Sequence, residues 1–386
     1  MAEGAWRKAD RETVISISQK MIGGFMKEQA RLSSIVKIGG AFMAWVIGSG
    51  FATGQEVLQF FSSFGYWSYG VVLINLAGFI LIGCFLLRSG FANQQEEKYD
   101  PFLFFCGKRL GKAYAILVTG TLLLLIPVLF AGAGATLNEY YGIPNLIGSA
   151  IMAIVVLSVY LLGFERMISI LSSLSPAIII FSIGVGIITI LRDYGSFSQI
   201  PSCTVSLSPF QAAPHWALSG LLYVSLTFMP GSTYFSQLGK HAGSQKELNY
   251  GVIVGSGALI LSITVISTAI LLNGNNTAGL DIPVLYLANR IYYWLGALFS
   301  IILVGGIFSS SSLMLWSVCS RMPIRGKNAN RLMAVGIVVC AYFVSLLPFN
   351  SLVAAFYPLI GYIGLPFIAC VIVKSLKRAT SSHPGK

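Results

Sequence analysis

Gly48-Ser49-Gly50-Phe51-Ala52-Thr53-Gly54-Gln55-Glu56 is the stretch on which the reading of this chain turns. It interrupts an apolar run from Ile35 to Phe61, and its three glycines fall within seven residues. Each glycine costs a helix about 1 kcal/mol relative to alanine, so the helix is expected to break here. Thirteen residues separate Ile35 from Gly48, and at a rise of about 1.5 Å each they bring the break near the middle of a bilayer. At that depth freed backbone groups are tolerated only against protein or a cavity. The break also gathers Ser49, Thr53, Gln55 and Glu56, polar side chains that hydrocarbon does not accept without a purpose.

The rest of the chain makes a bilayer the right frame. Of 386 residues 55% are hydrophobic and 10% charged, against about 25% charged in a soluble domain, and the mean hydropathy is +0.78. Disordered, collagen-like and disulfide-scaffold classes are excluded, and the continuous apolar runs do not alternate as barrel strands do. Reading runs against their Gly, Pro and charged boundaries predicts an all-α polytopic membrane protein with ten transmembrane helices. The spans run Ile35 to Phe61, Tyr66 to Leu87, Ala113 to Leu137, Asn145 to Gly163, Met167 to Leu191, Trp216 to Leu238, Asn249 to Leu272, Ile291 to Cys319, Leu332 to Phe349 and Leu352 to Val373. With the N-terminus inside, Arg192 and Arg290 are the only outer members of 25 Lys+Arg, which places both termini in the cytoplasm of a multi-pass plasma-membrane protein. The net charge of +12 is therefore a topology signal, and no nucleic acid partner is expected. Tyr66, Trp67, Tyr140, Tyr141, Trp216, Tyr292, Tyr293 and Trp294 mark outer helix ends at headgroup depth.

Span six carries Thr227-Phe228-Met229-Pro230-Gly231-Ser232 halfway along. Pro230 has no N–H and displaces the Leu226 carbonyl, so a second midplane break is expected. Breaks in spans one and six, five apart and oppositely directed, are the pattern of a 5+5 inverted-repeat transporter. The chain divides into a cytoplasmic extension 1–34, a first five-helix repeat 35–191, an extracellular connection 192–215, a second repeat 216–373 and a cytoplasmic tail 374–386. In the extension, Val14, Ile17, Met21, Ile22 and Phe25 recur at helical spacing, which fits either an interfacial helix or a start overextended ahead of Met26.

Glu56 is the acid clearly inside a span. It fits a proton-coupling carboxylate, an ammonium-binding carboxylate, or a structural acid bonded to freed N–H groups. Ser309 to Ser312 in span eight fit either hard-oxygen Na⁺ ligands or helix-helix hydrogen bonding. Gly251 and Gly255 in span seven read as a close helix crossing, Asn75 as an interhelical hydrogen bond, and Glu139 and Arg290 as solvated boundary residues. The histidines His215, His241 and His383 show no metal-ligand spacing, no catalytic constellation appears, and no nucleotide motif interrupts the loops. An enzyme is not expected, nor any cofactor, and the sequence leaves a metal undetermined.

Gly50-Phe51-Ala52-Thr53-Gly54-Gln55-Glu56, with Gln59-Phe60-Phe61, Phe64-Gly65 and the Asp281-Ile-Pro-Val-Leu-Tyr-Leu-Ala segment, resembles the YkvI-like membrane proteins, classed as amino acid permeases within the amino acid, polyamine and organocation superfamily of LeuT fold. The resemblance implies a LeuT-like transporter. Ser49, Gly50, Phe51, Ala52, Thr53, Gly54 and Gln55 would then line the substrate pocket with Thr227, Phe228, Gly231 and Ser232, and Ser310 and Ser311 would lie near the fold's sodium position.

The expected activity is ion-coupled secondary transport of a small amino-acid-like solute. Its carboxylate would meet backbone N–H groups around Ala52 to Gln55, and its ammonium the carbonyls near Leu226 to Phe228 or Glu56. Coupling would be to H⁺ through Glu56 or to Na⁺ through Ser310 and Ser311. Spans one, two, six and seven would rock against three, four, eight and nine. The alternative is a non-transporting solute receptor on the same scaffold, like a germinant-receptor subunit. The partners are the solute and the lipid bilayer, and the oligomeric state is open.

Overall fold

The computed structural model describes residues 31–47, 49–96, 99–162, 174–322 and 326–381. The extension up to residue 30, Gly48, Arg166, the start of span five with Ser172 and Ser173, and the tail from residue 382 lie outside the described residues.

The chain is helical throughout its described apolar runs. The first run is α1 (Leu32–Val46), α2 (Ser49–Thr53) and α3 (Gln55–Phe60), followed by a 3₁₀ segment Ser62–Trp67 and α4 (Ser68–Ala92). Then come α5 (Pro101–Tyr141), α6 (Asn145–Leu162), α7 (Leu174–Arg192) and α8 (Ile200–Leu207). The second half comprises α9 (Trp216–Lys240), α10 (Gln245–Leu272), α11 (Gly274–Thr277), α12 (Pro283–Ile291), α13 (Tyr293–Arg321), α14 (Lys327–Val344) and α15 (Phe349–Ser381). Among the described residues five helices are long and apolar enough to cross a membrane alone, or six with a pair bent by 84° where α7 meets the connection. Three shorter apolar helices, Leu32–Val46, Asn145–Leu161 and Asn328–Val344, accompany them. The connection 192–215 is not extended but largely helical.

The predicted break in span one is present. Gly54 adopts φ 89°, a conformation open to glycine, and an added Cβ would stand 2.7 Å from a Val284 methyl. The predicted break in span six is not: α9 runs from Trp216 to Lys240 with Pro230 inside it. Proline's fixed φ of about −65° is itself helical, so it removes one hydrogen bond without forcing the chain out of the helix. Phe228 and Phe235 brace this helix against Phe42, at 6.0 and 5.1 Å between ring centroids. Span nine ends at Val344, short of the expected Phe349, because Pro348 bars continuation and Phe349 opens the next helix. Asn75 bonds the Val71 carbonyl of its own helix at 2.9 Å, since Cβ groups one turn apart are its nearest neighbours. Gly39, Gly251 and Gly255 let α1 and α10 cross closely, with a Cβ on Gly255 falling 2.9 Å from the Gly39 carbonyl.

Helix packing falls into two groups. The first run, α4, α9 and α10 form one, through α1 on α10, α4 on α9 and α4 on α10. Helices α5, α6, α13 and α14 pack mutually in the other. Helix α7 bridges α10 and α13, and α15 packs most on α9 and also on α5 and α4. Exchanging the first-half helices for their second-half counterparts preserves this pattern: α1 on α10 maps to α9 on α4, α5 on α14 to α13 on α6, and α1 on α7 to α9 on α15.

A candidate solute site beside the broken helix

Once Gly54 turns the chain, Glu56 lies in the first turn of α3, 7% exposed. An unpaired carboxylate at such burial is costly. Here its Oε2 accepts a hydrogen bond at 2.9 Å from the hydroxyl of Tyr223 in α9, itself fully buried. Tyr223 is fixed in turn by aromatic neighbours, with its ring stacked on Phe79 at 6.1 Å and edge-on to Phe61 at 5.0 Å. One helical turn further along α9, the Thr227 hydroxyl donates to the Tyr223 carbonyl at 2.9 Å.

Glu56 opens on a cavity of about 60 Å³, where the first run contributes also Trp45 and Val46, and α9 contributes Leu226, Thr227 and Pro230. The facing wall is apolar, built from Leu125 and Leu129 of α5, Met314 of α13 and Tyr357 of α15. Glu56 is the charged residue of the lining. The volume has room for water but is well below the roughly 300–1,000 Å³ of small-molecule sites. Trp45 ties the two helices of the near wall, its Nε1–H donating to the Thr227 carbonyl at 3.0 Å and its ring stacked on Tyr234 at 5.3 Å. Pro230, with no N–H, leaves a gap in the hydrogen-bond ladder at the Leu226 carbonyl, beside the same cavity.

Of the residues expected to bind solute, Thr227 lines this cavity, as does Glu56. Phe51, Ala52 and Thr53 are buried within α2, and for Ser49 and Gly50 only the backbone is described. Gly54 packs on Val284 at the start of α12. Gln55 points to the loop ahead of α12, its Nε2 donating to the Leu280 carbonyl while its Oε1 accepts from Gln59 Nε2 at 3.2 Å. Phe228 meets Phe79 at 5.3 Å, Gly231 abuts the Trp45 indole, and the Ser232 hydroxyl donates to the Met229 carbonyl at 3.0 Å. In α13 the Ser311 hydroxyl donates to the Ile307 carbonyl at 2.6 Å, Ser310 is half-buried, and the buried Ser312 hydroxyl has no hydrogen-bond partner among the described residues. Helix α13 packs on α2, the short helix before Gly54. No group of three His, Cys, Asp or Glu that could hold a metal occurs among the described residues.

Sequence reading passed over Trp45, Tyr223 and Tyr357. Trp45 precedes the break by less than one turn, and Tyr223 stands one turn before Thr227, so position in the helix was a usable signal for both. At the far end of α7 lies a further feature, where Arg290 pairs with Asp193 at 2.7 Å and also donates to the Asn273 side chain. Arg290 is exposed, as expected, yet it is not merely solvated.

This multi-pass helical bundle, with its first run broken at Gly54, resembles the LeuT-fold transporters in overall fold. Solved structures bear this out at the level of fold. MhsT in complex with L-phenylalanine matches with a TM-score of 0.54 at 15% identity, over 84% of this chain and 80% of that one. The inward-facing form of Mhp1 matches with a TM-score of 0.57 at 11% identity, over 88% and 75%. The chain is homologous to the membrane protein YkvI of Bacillus subtilis (strain 168), 26% identical over 349 residues, 88% of this chain and 96% of the relative. YyaD of the same organism is 25% identical over 338 residues, 85% and 93% of the two chains. No protein-family model matches.

Proposed function

We propose that the protein is an ion-coupled secondary transporter of a small amino-acid-like solute, working by alternating access in the cell membrane with both termini in the cytoplasm. Counting the broken first run, α9 and the shorter apolar helices as spans gives ten, arranged as two five-helix repeats. The observation that supports the reading is that one wall of the cavity belongs to the first packing group and holds Glu56, while the facing wall is drawn from α5 and α13 of the second group together with α15, which packs on both groups. Movement of one group against the other dilates such a site, whereas movement within either group does not. An amino acid matches the chemistry through its ammonium, which is suited to Glu56 and the Leu226 carbonyl, while the N–H groups between Ala52 and Gln55 that would meet its carboxylate lie outside the cavity lining, that of Gly54 donating to the Phe51 carbonyl. The neighbour MhsT, which holds L-phenylalanine, makes that class the first to try. Coupling runs through H⁺ at Glu56 or Na⁺ at Ser310 and Ser311.

The test is uptake of labelled amino acids into proteoliposomes, with H⁺ and Na⁺ gradients imposed separately and Glu56→Gln in parallel. Accumulation under one gradient, lost in the variant, is the expected result. Tight binding with no accumulation under either gradient overturns transport and makes the protein a solute receptor.

A further inference from the structure

The opening of α5 folds back on the rest of that helix at Gly107, which adopts φ 76°. A Cβ on Gly111 would stand 2.7 Å from the Leu103 Cα, so residues 101–106 form a short leading segment that meets the long apolar run at a tight kink. Ring contacts set this segment in register against one stripe of α15. Phe102 meets Phe367 at 5.1 Å between ring centroids, and the Phe104 ring lies 4.6 Å from Lys374 Nζ and 4.4 Å from Arg378 Cζ. Beyond the kink, the Tyr114 ring lies 5.6 Å from the same Phe367, and its hydroxyl donates to the Ile363 carbonyl at 3.1 Å. Positions 363, 367, 370, 374 and 378, spaced by three and four, share that face of α15.

Between these contacts two thiols meet. Cys106, the last residue before the kink, and Cys370 on the stripe are side-chain hydrogen-bond partners, with Lys374 beside them. Both are free and half-buried. Cys370 also lines a groove of about 690 Å³, shared with Phe105, Ala369 and Val373 and remote from the solute cavity, so a small reagent has a route to its sulfur.

We propose that Cys106 and Cys370 are a redox-sensitive pair, joined by a reversible disulfide when a small hydroperoxide enters the groove, and that the bond locks the leading segment of α5 to α15. The Cys370 sulfur attacks the outer oxygen of the hydroperoxide, the O–O bond breaks, and water or an alcohol leaves, giving a sulfenic acid at Cys370. The Cys106 sulfur then attacks Cys370 Sγ, and its thiol proton departs with the sulfenic hydroxyl as water. The two thiols lose two electrons together and the hydroperoxide gains them; a dithiol reverses the bond by exchange. A lone thiol stops at the sulfenic acid, whereas here the resolving sulfur is already in contact. Because the bond falls immediately before Gly107, it fixes the segment at its pivot, where rings and cations alone hold it otherwise. The inference is independent of what the protein transports.

The test exposes full-length protein in detergent to hydrogen peroxide, alkylates it with N-ethylmaleimide and digests it without reduction. The expected product is a linked peptide pair joining Cys106 to Cys370, lost on treatment with dithiothreitol, with backbone hydrogen exchange across 101–112 falling several-fold in the oxidised protein. With dimedone present, Cys106→Ser is expected to be trapped at Cys370, and Cys370→Ser to take up no dimedone at Cys106. The peptide map and exchange of the unaltered protein decide the matter alone if a variant loses its melting transition. Separate alkylation of both thiols after peroxide, linkage of either one to another cysteine in equal yield, dimedone on Cys106 in Cys370→Ser, or unaltered exchange across 101–112 overturns the inference.

Discussion

Tyr223 and Glu56 are 167 positions apart in sequence and 2.9 Å apart in space. Removing the tyrosine hydroxyl takes one donor from a buried carboxyl group, at a cost of about 1–3 kcal/mol. Tyr223→Phe is therefore expected to lower the melting temperature in detergent, and by much less when Glu56 is already glutamine. Equal losses in the two backgrounds would show that the contact carries no energy of its own. This pairing was not legible in the sequence, because nothing local in Leu222-Tyr223-Val224 reports what lies across the bundle. Glu56 was legible as an anomaly, since a carboxylate in an apolar run is conspicuous on solvation grounds alone. Gln55 shows the limit of that logic: it is equally polar and next in sequence, yet its side chain joins the loop ahead of α12 rather than the cavity. Depth can be read from position along a run, but direction around a helix cannot once Gly54 has reset the chain's rotation.

The same contrast holds for elements. Three clustered glycines announced the interruption of the first run, and Gly54 at φ 89° delivers it. Pro230 announced a break in α9 that did not follow, because losing one N–H is a local defect that packing on both sides outweighs. Pro230→Ala restores the missing donor and closes the ladder at Leu226. The variant is expected to fold with an unchanged or higher melting temperature, by up to about 1 kcal/mol of added stability, while on the proposed transport reading uptake slows because the Leu226 carbonyl beside the cavity is taken into the helix ladder. A lower melting temperature would mean that α9 depends on the proline for its shape. The helices themselves were largely legible, since their apolar lengths and their Pro and Gly boundaries are local properties. The kink at Gly107 and the extension of α5 back to Pro101 were not, because the segment before the kink is helical by its Asp100 cap and Pro101 start rather than by an unbroken apolar run.

Across the whole molecule, Arg290 and Asp193 join the end of α7 to the end of α12, and Asn273 brings in the end of α10. An ion pair this accessible contributes under about 1 kcal/mol to stability. Its effect should be local in position instead. Arg290→Gln is expected to leave the melting temperature nearly unchanged while backbone hydrogen exchange rises several-fold in the segments around 193–200 and 273–280. Unaltered exchange in both segments would remove the pair from any role in holding that end together. Neither residue's partner could be read from sequence, where Arg290 was a lone charge near a boundary and Asp193 lay in a connection with no periodicity to orient it.

The exchange of halves that leaves the helix partners unaltered carries a thermodynamic consequence. A body assembled from two interlocked units of like architecture has, for each arrangement, a twin in which the units trade shapes and most of the same surfaces meet again. The free-energy gap between twins is then not a sum over the whole interior; it is confined to the places where the units are chemically unlike. Those places include a helix broken at Gly54 against one unbroken at Pro230, and a guanidinium latch at one end. On the proposed transport reading, a difference of a few kcal/mol is within reach of one bound solute or ion, so binding would tip the balance between twins without unpacking the interior.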